Sequence, residues 1–221
     1  MPYNKLNNRS FIKNIFYLFF VLLFSCSSQQ TISINELKNG DFVFVQSKVE
    51  NLSGAINRVT QKSETENFDH VGLIEIQKGG IFILHSAPKL GSTRQNFEDF
   101  FNEKTKNEQK MIIYRLKKEY QKAIEPAIIQ AKTLLNKPYN WSYILNENSY
   151  YCSDFIERAF RKDSIFEHIE MNFKNPTTDK IDDFWIDFYK KLNLDVPQNM
   201  PGTNPNQLAG SEKLFRLGFL L

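Results

Sequence analysis

The chain has 221 residues, 41% of them hydrophobic and 14% aromatic, which suits one domain with a real core and excludes a disordered chain. Its formal net charge of +3 rests on Lys5, Arg9 and Lys13 near the start; with those three set aside, the 28 basic residues fall to 25 against 25 acidic ones. No basic surface is left over, which excludes a nucleic-acid partner.

Behind the basic start runs an unbroken apolar stretch from Ile15 to Phe24, followed by Ser25-Cys26-Ser27-Ser28-Gln29-Gln30. It is too short to span a bilayer, which takes about 20 residues, and it suits the core of a secretory signal peptide. Leu23-Phe24-Ser25-Cys26 resembles the bacterial lipoprotein signal, which implies that Cys26 is lipidated and becomes the new N-terminus. A plain signal peptide or an uncleaved anchor is the alternative. Either way the expected location is the bacterial cell envelope, with the membrane as a partner through the lipid. Residues 1–25 are read as signal, 26–35 as a polar tether and 36–221 as the folded domain.

Asn39-Gly40-Asp41 marks a turn and Phe42-Val43-Phe44-Val45 a buried strand. Ser47 to Asn67 is polar and reads as a short helix and a loop. His70 to Ile76 and Ile81 to His85 are strand-like runs joined by Gln77-Lys78-Gly79-Gly80, a hairpin. A two-residue turn at Lys78-Gly79 opposes Gly72 to His85, and one at Gly79-Gly80 opposes Ile74 to His85. In both registers His85 shares a face with His70, and in the first the two are diagonal neighbours. A three-residue loop would separate them.

Pro88 to Ser92 reads as a loop, Phe97 to Phe101 as a short helix and Met111 to Leu116 as a strand. Ala123, Ala127, Ile128, Ala131 and Leu135 mark an amphipathic helix that Pro126 starts or kinks. Further on, Phe184, Trp185, Phe188, Tyr189 and Leu192 mark another, with Asp182 and Asp183 early and Lys190 and Lys191 late, as the helix dipole prefers. Asn204 is placed to cap a helix opened by Pro205, and Leu214 to Leu221 suits a closing strand.

Between these, Tyr150-Tyr151-Cys152-Ser153-Asp154-Phe155-Ile156-Glu157-Arg158-Ala159-Phe160 reads as a helix with Cys152 in its first turn. With Cys26 lipidated, Cys152 is the one thiol left, and an unpaired cysteine in an exported protein is a candidate reactive group. A helix N-terminus favours thiolate and offers N–H donors to a developing oxyanion. Cys152 is therefore a candidate nucleophile, set against the plainer role of a small buried side chain.

Gly40-Asp41-Phe42-Val43-Phe44, Asp69-His70-Val71-Gly72-Leu73-Ile74 and Tyr150-Tyr151-Cys152-Ser153-Asp154-Phe155 resemble segments of the circularly permuted NlpC/P60 hydrolases, the YiiX/YaeF-like papain-fold amidases. In that group the cysteine helix follows the Gly-Asp and His-Val-Gly strands, as it does here, and Lys137-Pro138-Tyr139-Asn140 ahead of the cysteine is similarly spaced. The resemblance implies an α+β, papain-like fold, a small antiparallel sheet or partial barrel packed against the cysteine helix. It further implies Cys152 as nucleophile, His70 as general base and His85 in the third, orienting position. A histidine there adds no fixed negative charge, so it orients less strongly than a carboxylate. No cofactor is implied. The implied substrates are envelope amides, either peptidoglycan peptides or lipid-linked amides.

Other readings stand beside this one. Tyr151 lends a hydroxyl near the oxyanion site or only packs its ring. Asp41 and Asp69 suit strand ends that bond local backbone, Glu75 falls on the face opposite His70, and His168 suits the surface. Cys152, His70 and His85 are also zinc-ligand types, though no short-spaced ligand pair accompanies them. A lipid acyltransferase or esterase of related fold, and a catalytically silent envelope-binding lipoprotein, are the rival functions.

Overall fold

A computed structural model describes residues 29–48, 51–60 and 66–221; the expected signal and the expected lipidation site, Cys26, lie outside the described residues. Among the described residues nine strands form: β1 (Thr31–Ile32), β2 (Phe42–Gln46), β3 (Phe68–Gln77), β4 (Gly80–Ala87), β5 (Gly91–Asn96), β6 (Met111–Leu116), β7 (Ile169–Met171), β8 (Met200–Gly202) and β9 (Leu214–Leu220). Six α-helices accompany them: α1 (Asn51–Thr60), α2 (Phe97–Lys106), α3 (Ile124–Thr133), α4 (Cys152–Phe160), α5 (Asp183–Lys191) and α6 (Pro205–Ala209). Among the described residues no helix is long and apolar enough to cross a membrane.

Seven strands make one sheet in the order β1-β9-β6-β2-β3-β4-β5, antiparallel except where β1 pairs with β9; β7 and β8 form a separate pair. The sheet is larger than the sequence led us to expect, for two reasons. Thr31–Ile32, inside the expected tether, joins the edge of β9, and Gly91–Asn96, partly inside an expected loop, pairs with β4. Neither segment carries an alternating apolar pattern; backbone pairing recruits them, helped by single side chains such as the buried Ile32 and Ser92.

The continuous apolar run of β2 is explained by burial on both faces of the sheet. Phe42 and Phe44, with Val71, Leu73 and Leu84, pack against α3 and α4. Val43 and Val45, with Ile74 and Ile83, pack against Phe97 and Phe100 of α2. Pro126 falls in the first turn of α3 and starts that helix without kinking it. Asp182 and Asn204 cap α5 and α6 by accepting from Phe184 N–H and Gln207 N–H. The hairpin turn is Lys78-Gly79, because Gln77 pairs with Gly80 and the ladder runs on to Leu73 opposite Leu84. That is the first of the two registers foreseen.

The cysteine helix is held from both ends. Phe155, Ile156, Ala159 and Phe160 are buried against the sheet, each large side chain contributing roughly 1.5–3 kcal/mol. Arg158, nearly buried, bonds Asp154 one turn back at 2.7 Å, the Glu147 carboxylate at 2.8 Å and the Asn146 carbonyl at 2.9 Å. Those bonds tie the loop that delivers Cys152 to the helix that carries it.

Candidate active site

The β3–β4 ladder ends at Leu73 opposite Leu84, and the head of α4 sits where the strands part. From β4, Ser86 donates its hydroxyl to the Tyr150 carbonyl at 2.6 Å. From β3, the Asp69 carbonyl lies 3.9 Å from Cys152 Sγ. The N–H groups of Val71, Ser153 and Cys152 itself favour negative charge on the sulfur. Asp69 and Val71 flank His70, so the sulfur stands at the backbone of the histidine's own position.

The two histidines meet as parity requires. His70 Nε2 and His85 Nδ1 are 2.8 Å apart, and His85 Nε2 is 3.1 Å from Gln95 Oε1 on β5. The rings cross at 82° and both rest against Phe100. Gly72 makes room for this: a Cβ there would lie 2.5 Å from Ile83 and 3.3 Å from the Cβ of His85. The chain of bonds sets the tautomers. Gln95 Oε1 accepts from His85 Nε2–H, which leaves His85 Nδ1 to accept from His70 Nε2–H. The lone pair of His70 is then on Nδ1, the nitrogen that the relay leaves free. The sulfur and the His70 ring are not themselves hydrogen-bonded; the sulfur's contact is with the Asp69 carbonyl.

Burial dominates the charges here. It pushes the Cys152 thiol up to about 12, with the Asp69 carboxyl adding to the rise against the pull of the backbone N–H groups. The helix N-terminus was expected to favour thiolate; removal of the sulfur from water outweighs it. Burial, then the neighbouring His85, holds His70 well below the ordinary imidazole range, and burial with Lys104 brings His85 down to about 4. The resting site therefore holds a neutral thiol and two neutral imidazoles at pH 7.

The other residues singled out above fall as follows. Glu75 lies away from the histidines, bound to Arg94 and Lys132. Asp41 accepts from Lys38 N–H at 2.7 Å, as a turn residue should, and also holds Arg115. His168 is exposed, its Nε2 3.2 Å from Glu157. Tyr151 has its hydroxyl at 3.1 Å from Thr203 N–H, which ties α4 to the end of β8. Asp69 bonds its own backbone N–H, as a strand-end residue should, and its carboxyl also bonds the Ser53 hydroxyl of α1.

Sequence reasoning missed Gln95, Tyr139 and Tyr143. Gln95 had no signal, because it lies on the strand without a pattern. Tyr139 lay in the noted Lys137-to-Trp141 stretch, and it and Tyr143 share with Cys152 the lining of a cavity of about 270 Å³. Both phenols are held above their ordinary range, mainly by burial, and charge on Cys152 adds to this. They are thus protonated donors within electrostatic reach of the sulfur.

A cysteine heading a core helix, set against a sheet that carries a relayed histidine pair, is a papain-like arrangement, here with the helix following the strands. The family model for permuted papain-like amidase enzymes, YaeF/YiiX, C92 family, matches residues 36–218, and the chain belongs to that family. It is accordingly a cysteine hydrolase of amidase type. Among solved structures it is similar to the metalloprotein yiiX of Escherichia coli O157:H7, with a TM-score of 0.63 at 16% identity over 82% of this chain and 96% of that one. No curated protein matches it. That neighbour is titled a metalloprotein, but among the described residues here no three His, Cys, Asp or Glu side chains are placed to hold a metal ion. His85 spends both ring nitrogens on His70 and Gln95 and has none left for a metal.

Proposed function

We propose that the chain hydrolyses an amide of the bacterial cell envelope through a thioester on Cys152. His70 Nδ1 takes the thiol proton as the sulfur attacks the carbonyl carbon. The Cys152 N–H, with Tyr139 or Tyr143, meets the oxyanion. The C–N bond then breaks as His70 returns the proton to the leaving amine, and water, deprotonated by the same nitrogen, hydrolyses the thioester. Because both resting groups are neutral, proton transfer accompanies attack and no thiolate is stored. Hydrogen bonds of this kind are often loose until substrate closes the site. The observation that carries the reading is the Gln95–His85–His70 relay, whose one free nitrogen belongs to the residue bracketed by the sulfur's backbone contacts.

Peptidoglycan peptides and lipid-linked amides are the proposed substrates, met at a membrane to which Cys26 anchors the chain. Reaction of the full chain with an electrophilic amide probe at pH 7 tests the chemistry. Labelling of Cys152 should fall about 10²–10⁴-fold in His70→Ala, and equal rates in the two proteins would remove the proposal. Cys26→Ser should move the protein from the membrane fraction to the soluble one, whereas unchanged membrane association would count against the anchor.

A further inference from the structure

The cavity beside Cys152 has a composition that the hydrolytic reaction does not require. Tyr139, Tyr143, Tyr151, Phe173 and Trp185 supply aromatic walls. Asp69 stands next to the sulfur and the exposed Glu170 at the rim, while among the described residues no Lys, Arg or His lines it. Asp69 has the Ser53 hydroxyl and its own backbone N–H as hydrogen-bond partners, and Lys104 and Lys48 act on it only through space. Among the described residues this carboxylate has no ion-pair partner, and aromatic faces attract cations.

A second observation points to a ligand. Trp185 and Ser153 are each 1% exposed, and Trp185 Nε1 and Ser153 Oγ are buried without a hydrogen-bond partner. Both residues line the same cavity. The Ser153 hydroxyl accepts as well as donates, so it offers an entering N–H an acceptor besides the carboxylate.

We infer that this cavity is a cation subsite, which receives an ammonium-bearing, otherwise apolar part of the substrate close to the scissile carbonyl, with Asp69 as its counter-charge. The inference rests on Cys152 being the nucleophile. It also narrows the substrate class: envelope amides with a free amine near the cleaved bond are accepted, and those with a carboxylate there are rejected. The geometry adds an effect on rate. Negative charge on Asp69 opposes negative charge on Cys152, and a bound ammonium cancels that opposition, so the matching substrate activates its own nucleophile.

The chain has two tryptophans, so in a Trp141→Phe background Trp185, which lines the cavity, is the sole tryptophan and can be excited selectively. Titration with hexylammonium, hexanol and hexanoate should give saturable binding in that order, the cation at least tenfold tighter than the alcohol. Asp69→Asn should bring cation and alcohol within twofold. Equal affinities, no saturable response to hexylammonium, or an unchanged order in Asp69→Asn would each overturn the subsite; the charge series on the unsubstituted Asp69 decides even if the variant misfolds. Alkylation of Cys152 by 2-bromoethylammonium and by iodoacetamide, each relative to a small free thiol, separates this inference from the one beneath it. A cation advantage of about tenfold supports the subsite, and labelling without that advantage overturns it alone. Absence of labelling by either reagent overturns the nucleophile, and the fluorescence order still decides the subsite.

Discussion

His85 shows how much of this site is legible residue by residue. Strand parity puts it on the face of His70 for either two-residue turn, because alternation in a hairpin is a rule of backbone geometry, and the structure selects Lys78-Gly79, which makes the two diagonal neighbours. Gln95 is not legible, since a polar residue in a polar strand looks like any other surface position. Its amide oxygen nonetheless fixes which nitrogen of each histidine carries hydrogen. Gln95→Leu removes that acceptor and frees His85 to change tautomer, so kcat should fall about tenfold with KM little altered. Gln95→Glu keeps the acceptor and adds the negative charge that a second histidine cannot supply. It should retain activity and move the acid limb of the kcat/KM profile to higher pH as the imidazoles become easier to protonate. Steady-state rates from pH 4 to 9 decide both cases; a Gln95→Leu enzyme as fast as the parent would dismiss the relay.

Among the elements, α4 was the easiest to read and the β7–β8 pair the hardest. The helix announces itself by apolar spacing over nine residues, whereas each strand of the pair has three, one of them Met-Pro-Gly. Yet β7 walls the cavity, and Thr203, directly after β8, lines it too and fixes Tyr151. Gly202 is where the wall comes closest: a Cβ there would lie 2.6 Å from Met171 Sδ and 2.9 Å from the Tyr151 hydroxyl. Met171 is flexible enough to yield, but Tyr151 is held by its bond to Thr203 and by the start of α4. Gly202→Val should therefore displace the tyrosine, costing about 1–3 kcal/mol of stability. It should also lower kcat/KM by more than tenfold, because Tyr151 immediately precedes Cys152. Urea unfolding alongside steady-state kinetics checks both, and a variant of parental stability and rate would show that the wall does not bear on the cysteine.

For the whole molecule, the site has a consequence for stability against pH. Burial pushes the Asp69 carboxyl up to about 6, above the 3.8 of a free carboxyl. Between those values the unfolded chain gives up a proton that the folded chain keeps, so the contribution to stability falls as pH rises and stays low above pH 6. The histidines run the other way. His85 is brought down to about 4 and His70 well below its usual value, so the unfolded chain takes up protons near pH 6.5 that the folded chain refuses, and stability is lost on acidification. In the parent chain the two effects oppose each other between about pH 4 and 6.5. Asp69→Asn removes one of them. The variant should be more stable at pH 7 by roughly 1–2 kcal/mol, a figure below the full linkage value because the carboxyl is partly exposed. Its advantage should vanish by pH 4, which leaves a steeper acid loss than the parent shows. Urea midpoints at pH 4, 5, 6 and 7 measure this. A gain independent of pH, or no gain at pH 7, would mean that Asp69 is not held out of water as its surroundings require. A gain at neutral pH joined to loss of cation binding would mark the carboxylate as a charge kept for its ligand at the expense of the fold.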